Sequence, residues 1–348
     1  MIKFIKKSLL YYLPIILSFL WGNRATGELG RLSGIPFGHY QPNFEYPQDN
    51  YHHIYQNIIG IDTTDILIVG DSYAHNQIHA WFQYYAERET GIDIRTLSWP
   101  QGNFHPIGIV HNLLNRNLID SCRIVIIESA ERLFVERLLN YETVFDIQQI
   151  DNICKSQDTV QYFTVKYGGD VEFYSLKHIA NATKFALKLK KTDIIQLQLS
   201  NSFFSSKYHS KSLVFNIAET NFLRYNTADL SLAKSKLIEL HERALEHGIF
   251  LIFMVAAGSY DLYQDYIVDN PYPRDTTLDY FDDLDTSWFL NTKKLIKPHI
   301  DAGEKDMVLL NDTHWSIKSA KLAGEKLGEM INDYFRKIES INTSNQNQ

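Results

Sequence analysis

The chain has 348 residues, 45% of them hydrophobic and 22% charged, which suits a globular protein with a real core in one large domain or two smaller ones. A net charge of −7 without a long basic patch argues against a nucleic-acid partner. The 21 Tyr and 20 Phe could stack on sugar rings if exposed, but core packing is the simpler account of them.

The N-terminus carries Lys3, Lys6 and Lys7 ahead of a stretch without charge from Ser8 to Gly22. A basic start followed by an apolar run is the pattern of a secretion signal. The run is short for a full transmembrane helix, which needs roughly 20 apolar residues. Tyr11, Tyr12 and Trp21 suit the membrane interfaces, and the lysines would hold the N-terminus in the cytoplasm. With only Ala25-Thr26-Gly27 as a weak cleavage site, residues 1–25 read as a signal anchor, with a cleaved signal peptide as the alternative. Either puts the rest of the chain outside the cytoplasm, in the periplasm or cell envelope, and the anchor would tether it to the inner membrane.

Residues 26–60 form an irregular, Gly- and Pro-containing lead-in. Regular patterning begins with DILIVG (65–70), a short aliphatic run of the kind found in buried parallel strands. Ala74, Ile78, Trp81, Phe82 and Tyr85 then share a helical face, and Gly91 is a plausible stop. IDIRTLS (92–98) reads as a strand, HPIGIVHNLLNRNLI (105–119) as a helix and RIVIIES (123–129) as a third strand. From about 140 to 230 the alternation lapses into a polar, partly helical insertion or cap. It resumes with a helix over 231–248, a strand over 249–257, a short strand DMVLL (306–310) and a final helix over 316–338. The predicted helix carries Ala320, Ala323, Leu327, Met330, Ile331 and Tyr334, and residues 339–348 read as a disordered tail. Alternating strands and helices predict an α/β domain over 61–338 with a mainly parallel sheet. Cys122 and Cys154 fit no zinc spacing, and their pairing is left open.

The chemistry-bearing candidates lie at predicted strand ends. Ser72, in GDSY (70–73), falls where a buried strand gives way to a helix, at the edge where open α/β sheets bind ligands. It could simply cap the helix, or it could be a nucleophile with the helix N-terminus beside it as oxyanion support. A nucleophilic serine needs a base, usually a histidine oriented by a carboxylate. NDTHWS (311–316) offers His314 as base and Asp312 as its orienter, with Ser316 as helix cap and Trp315 packing on the loop. Asp49 and His52 repeat an acid–histidine spacing, but in the irregular lead-in with no strand before them. No His/Asp/Glu cluster has metal-ligand spacing, and no phosphate-binding glycine loop follows a strand, so no metal or cofactor is expected.

GDSY early and DTHWS (312–316) late resemble the first and last blocks of the SGNH, or GDSL-like, hydrolase superfamily. The DTHW wording is closer to its alginate O-acetyltransferase-like branch. SWPQGNF (98–104), VIIESAERLF (125–134), SNSFFSS (200–206) and FMVAAGSYDLYQDYI (253–267) are similar to further blocks, so the resemblance spans roughly 60 to 330. It implies a flavodoxin-like three-layer α/β/α fold, an acyl-Ser72 intermediate, and an oxyanion held by the Ser72 and Gly102 N–H groups. Asp71, Tyr73, Arg132 and Trp315 complete the candidate oxyanion and substrate-binding set. The chain departs from the superfamily where an asparagine usually follows the third strand: here Glu128-Ser129-Ala130-Glu131-Arg132 stands there. Asn103 is a candidate substitute, and Glu131 with Arg132 could equally be a surface ion pair. In the alginate enzymes the D-x-H block precedes the serine block, whereas here it follows, so the subfamily and substrate stay open.

Three functions follow as expectations. The first is O-acyl, chiefly O-acetyl, transfer to an envelope or extracellular polysaccharide, with the acyl group delivered by a membrane partner. The second is a secreted carbohydrate esterase with the same triad. The third is a non-catalytic glycan-binding or scaffold protein on the same fold.

Overall fold

The computed structural model describes residues 64–75, 81–97, 105–143 and 193–346, the strands His52–Gln56 and Gln161–Thr164, and a few positions between 29 and 45. Residues 1–28, 98–104 and most of 144–192 lie outside the described residues. The signal-anchor, Gly102, Asn103 and Cys154 expectations, and the helical stretch expected near 175–191, fall there. No helix among the described residues is long and apolar enough to cross a membrane.

A seven-stranded sheet organises the molecule. β1 is His52–Gln56, β2 Ile66–Val69, β3 Ile94–Leu97, β4 Ile124–Ala130 and β5 Gln161–Thr164. β6 (Ile194–Gln198) and β7 (Ser212–Asn216) form a separate antiparallel pair, and β8 (Phe250–Ala256) and β9 (Phe289–Asn291) complete the main sheet. The order is β5-β1-β3-β2-β4-β8-β9. The five strands from β3 to β9 run parallel, β1 adds to them in the same direction, and β5 pairs antiparallel at the edge. β2 and β4 are buried along their whole length, as strands covered on both faces must be.

The helices are α1 (Ser72–His75), α2 (Trp81–Thr90), α3 (Pro106–Asn115), α4 (Glu131–Asn140), α5 (Thr227–Glu246), α6 (Ser259–Tyr263), α7 (Thr292–Asp301) and α8 (Ile317–Gln346). α2, α7 and α8 pack in one group, and α3, α4 and α5 in another. The arrangement is an α/β fold compatible with three layers, α/β/α. The order in which the strands are laid down reverses at β2: β3 lies on one side of it and β4 on the other. That reversal opens a crevice at the carboxyl ends of β2 and β4, where ligands of such sheets bind.

Several boundaries differ from the sequence reading. DMVLL is not a strand of the sheet. It makes one bridge, Val308 with Trp315, and so forms one arm of a tight loop. The outer parallel strand is β9, three residues long and set among acidic and polar neighbours, with α7 after it. The lead-in supplies β1 and the insertion supplies β5, so both contribute to the sheet. α8 runs on to Gln346, into residues that read as a disordered tail. There Ser340, Thr343 and Ser344 donate to carbonyls three or four residues back, a pattern compatible with helix.

Gly91 and Gly248 end helices at φ 68° and 76°, as their placement in the sequence suggests. Gly324 acts differently, by letting α8 approach α2. A Cβ there would collide with the Phe82 carbonyl oxygen and come within 2.7 Å of the Tyr85 Cβ. Gly324→Ala is therefore expected to destabilise the protein by about 1–3 kcal/mol despite alanine's better helix propensity. Urea unfolding checks this, and a stability at or above wild type would contradict it.

Candidate active site

The nucleophile candidate is positioned by its neighbour. Asp71, directly after the β2 turn, caps α1: its Oδ1 accepts from the Tyr73 N–H at 3.2 Å, and its carbonyl accepts from Ala74 and His75, each at 3.1 Å. Capping therefore falls to Asp71, and the Ser72 hydroxyl is directed elsewhere. Ser72 Oγ lies 2.9 Å from His314 Nε2, and His314 Nδ1 lies 2.5 Å from Asp312 Oδ1. Asp312 Oδ1 also accepts from the His314 backbone N–H at 3.3 Å, which fixes the carboxylate to the loop. With Nδ1–H donating to Asp312, Nε2 is left as the acceptor facing the serine hydroxyl.

The loop carrying His314 is held from several directions. Leu309 N–H donates to the His314 carbonyl at 3.1 Å, and Ser316 N–H to the Met307 carbonyl at 3.1 Å. Ser316 Oγ accepts from the Lys318 N–H at 3.2 Å, the capping role expected for it. The Tyr73 hydroxyl donates to the Thr313 carbonyl at 2.7 Å and ties the two blocks together. The Tyr73 ring stacks obliquely on His314 at 4.6 Å and meets Trp315 edge-on at 5.0 Å. Burial pushes the Tyr73 hydroxyl well above its ordinary pKa, so it stays a neutral donor. Tyr73 and Trp315 are each 1% exposed. They pack against the histidine loop, and their burial argues for a positioning role over direct contact with a substrate.

Asp71 is likewise a buried support. Its Oδ2 accepts from the Ala130 N–H at 2.8 Å and from Arg137 at 2.7 Å, and Arg137 also reaches Ser129 Oγ at 2.6 Å. Burial raises its carboxyl, but the Arg137 guanidinium and the Ala130 N–H outweigh that and hold it well below the usual range. Glu128 sits beneath it and accepts the Asp71 N–H at 2.8 Å. Burial, then the Asp71 charge, pushes Glu128 far upward, so Asp71 keeps the charge and Glu128 the proton. Gly70 makes this stacking possible: a Cβ there would lie 2.5 Å from the Ala74 Cβ and 2.7 Å from Glu128 Oε2.

Arg132 is half-buried at the start of α4, at the same carboxyl edge of the sheet as Ser72, and lines a cavity with Glu219, Phe222 and Tyr225. Glu131 is buried, with Oε2 accepting from the Gly258 N–H at 2.7 Å. The surface ion-pair reading therefore fails for Glu131. His52 begins β1 at the amino-terminal edge of the sheet, the opposite edge from Ser72, and Asp49 lies outside the described residues. Cys122 is buried just before β4. Arg137 belongs to no motif in the sequence, and Glu128 stands there only in the block that replaces the superfamily's asparagine. Their signal was a charge placed on an otherwise apolar face: Arg137 beside Phe134 and Leu138, and Glu128 inside an aliphatic strand.

No protein-family model, curated protein or solved structure matches the chain.

Proposed function

We propose that this chain is a serine acyltransferase of the SGNH kind, with a flavodoxin-like core, acting on the hydroxyls of an envelope or extracellular polysaccharide. One observation carries the reading. Ser72, His314 and Asp312 form a continuous hydrogen-bonded relay, at 2.9 and 2.5 Å, at the carboxyl edge of a parallel sheet where its strand order reverses.

The chemistry follows from the relay. His314 Nε2 takes the Ser72 hydroxyl proton as Oγ attacks the acyl carbonyl of the donor. Asp312 accepts the Nδ1–H bond and stabilises the imidazolium that forms. Collapse of the tetrahedral intermediate expels the donor's alcohol or thiol, which takes the proton from Nε2, and leaves acyl-Ser72. A sugar hydroxyl then gives its proton to Nε2 and attacks the acyl carbon, so the ester passes to the sugar and Ser72 recovers its proton. Water as the acceptor gives an esterase by the same steps. The choice of transfer over hydrolysis, and of an envelope setting with a membrane acyl donor, rests on the basic-then-apolar N-terminus and on the likeness of GDSY and DTHWS to the O-acetyltransferase-like blocks.

The test is direct. The full-length chain, incubated with an activated acetyl ester and digested, is expected to carry one acetyl group on the peptide containing Ser72. The adduct should disappear in Ser72→Ala. With a polysaccharide acceptor added, loss of the adduct should be matched by acetylated sugar. Release of acetate alone would favour the esterase, and no adduct with any of several esters would sink the acyl-enzyme reading.

A further inference from the structure

A second concentration of buried charge lies beyond the triad, at the ends of β4 and β8. Glu131 opens α4, Asp261 lies in α6, and Asp275 lies in the loop that follows. One oxygen from each falls within 4.8 Å of the other two, and all three residues are buried. Their sequence separation explains why no ligand spacing is visible in the chain.

Each carboxylate has an anchored oxygen. Glu131 Oε2 accepts from Gly258, Asp275 Oδ1 from the Thr277 N–H at 2.8 Å, and Asp261 Oδ1 from Gln264 at 2.6 Å and Lys293 at 2.9 Å. The other oxygens of Glu131 and Asp261, Oε1 and Oδ2, are buried and receive no N–H or hydroxyl donor, the two carboxyl side chains lying within hydrogen-bonding range of each other. A fourth carboxylate supplies an independent pointer. Glu219, on the 3-10 turn Ile217–Arg224, is 5% exposed; its Oε2 accepts from Tyr260 at 2.7 Å, and its Oε1 is buried without a donor. Glu131, Glu219, Asp261 and Asp275 line one small cavity of about 10 Å³, room for a single water-sized body.

The charges that face this cavity do not balance. Arg132 lies on the Glu219 side, and Lys293 reaches in from α7, where it is shared with the more exposed Asp279 at 2.7 Å. Four ionised carboxylates against these two cations leave a surplus of two negative charges. We propose that the cluster binds one hard divalent cation, Ca²⁺ or Mg²⁺, through the donor-less oxygens of Glu131 and Asp261 and a carboxylate oxygen of Asp275, with Glu219 closing the site. An all-oxygen donor set without His or Cys selects hard cations over zinc or copper.

Burial raises all four carboxyl groups, so each is costly to hold ionised in this cavity. A bound cation would offset that cost.

The full-length chain, stripped with EDTA and titrated with CaCl₂ or MgCl₂ at about pH 8, tests this, since extracellular calcium sites bind at roughly 10⁻⁴–10⁻³ M. A saturable rise in Tm of several degrees, one ion bound, and proton release seen by calorimetry in two buffers are expected. The two salts tell the ions apart. Glu131→Gln and Asp275→Asn keep the bonds from Gly258 and Thr277, so both should fold, with a Tm in EDTA at least that of wild type at this pH. Both should bind the ion at least tenfold more weakly, in line with a lost ligand. No shift and no bound ion at millimolar salt would overturn the proposal in favour of a proton-holding cluster. A shift that both variants share would overturn it by placing the ion elsewhere.

Discussion

Ser72→Ala is expected to lower ester turnover by on the order of 10³-fold or more, with far-ultraviolet circular dichroism and Tm unchanged. The expectation depends on what the hydroxyl does in the fold. Asp71, not Ser72, caps α1, and Ser72 Oγ bonds to His314 Nε2, so removing the oxygen costs the fold little and the chemistry its nucleophile. His314→Ala should fall as far, and the double variant Ser72→Ala/His314→Ala should be no worse than either single, because the two act as one unit. Asp312→Asn probes the relay from the other side. An amide can present N–H to Nδ1, which reverses the imidazole tautomer and turns Nε2 away from its role as base, at a cost of roughly 10⁴-fold. Activity retained in all three would show that the geometry at 2.9 and 2.5 Å serves structure alone.

Arg137→Leu is expected to be the most damaging single change to stability, at about 3–5 kcal/mol in urea unfolding. Arg137 and Asp71 side chains are each 5% exposed, and they meet at 2.7 Å. Removing the guanidinium leaves the buried Asp71 carboxylate with the Ala130 and Tyr73 N–H groups and the more distant Arg132 charge, and takes from Ser129 Oγ its donor, leaving the Ala130 carbonyl as its partner. The carboxyl would then climb out of its low range, and Asp71 and Glu128 would compete for protons at close quarters. Adding Asp71→Asn to Arg137→Leu should recover part of the loss, since a neutral amide tolerates burial better than an unpaired charge. A double variant less stable than the Arg137→Leu single would refute the idea that the stranded charge is the cause. Because Asp71 caps the turn that presents Ser72, residual turnover in Arg137→Leu should drop even where the protein remains folded.

The parts of the fold that could be read in the chain share one property. β2, β4 and β8 are covered on both faces, so each is written as a run dominated by apolar residues, broken only by Glu128 and Ser129 at the end of β4. The same rule misled at DMVLL. Met307, Val308 and Leu310 are buried as the rule implies, but beneath a loop and not within the sheet. β9 escaped because Phe289–Asn291 is only three residues, too few to set up a pattern. The triad was legible because Ser72 and the Asp312–His314 pair each stand beside a recognisable aliphatic run or helix start. The groups around it were not, since Arg137 and Glu131 lie on an ordinary charged helix, ERLFVERLLN, and only the packing decides which of its charges turn inward. The carboxylate cluster was further still from view, assembled from positions 131, 219, 261 and 275.

The long reach between Ser72 and His314 bears on the order in which the molecule matures. The two are 242 residues apart, and their meeting depends on the loop that α8 carries in as it docks on α2. β2, β3 and β4 can be synthesised while no base exists near the serine. On the acyl-enzyme reading proposed above, a growing chain is expected to stay inert towards acyl donors until that docking is complete. Contacts of such separation form late, because closing a long loop costs entropy before it returns any packing. Reactivity at Ser72 is thus a readout of finished folding, and acylation kinetics during refolding would report the arrival of α8.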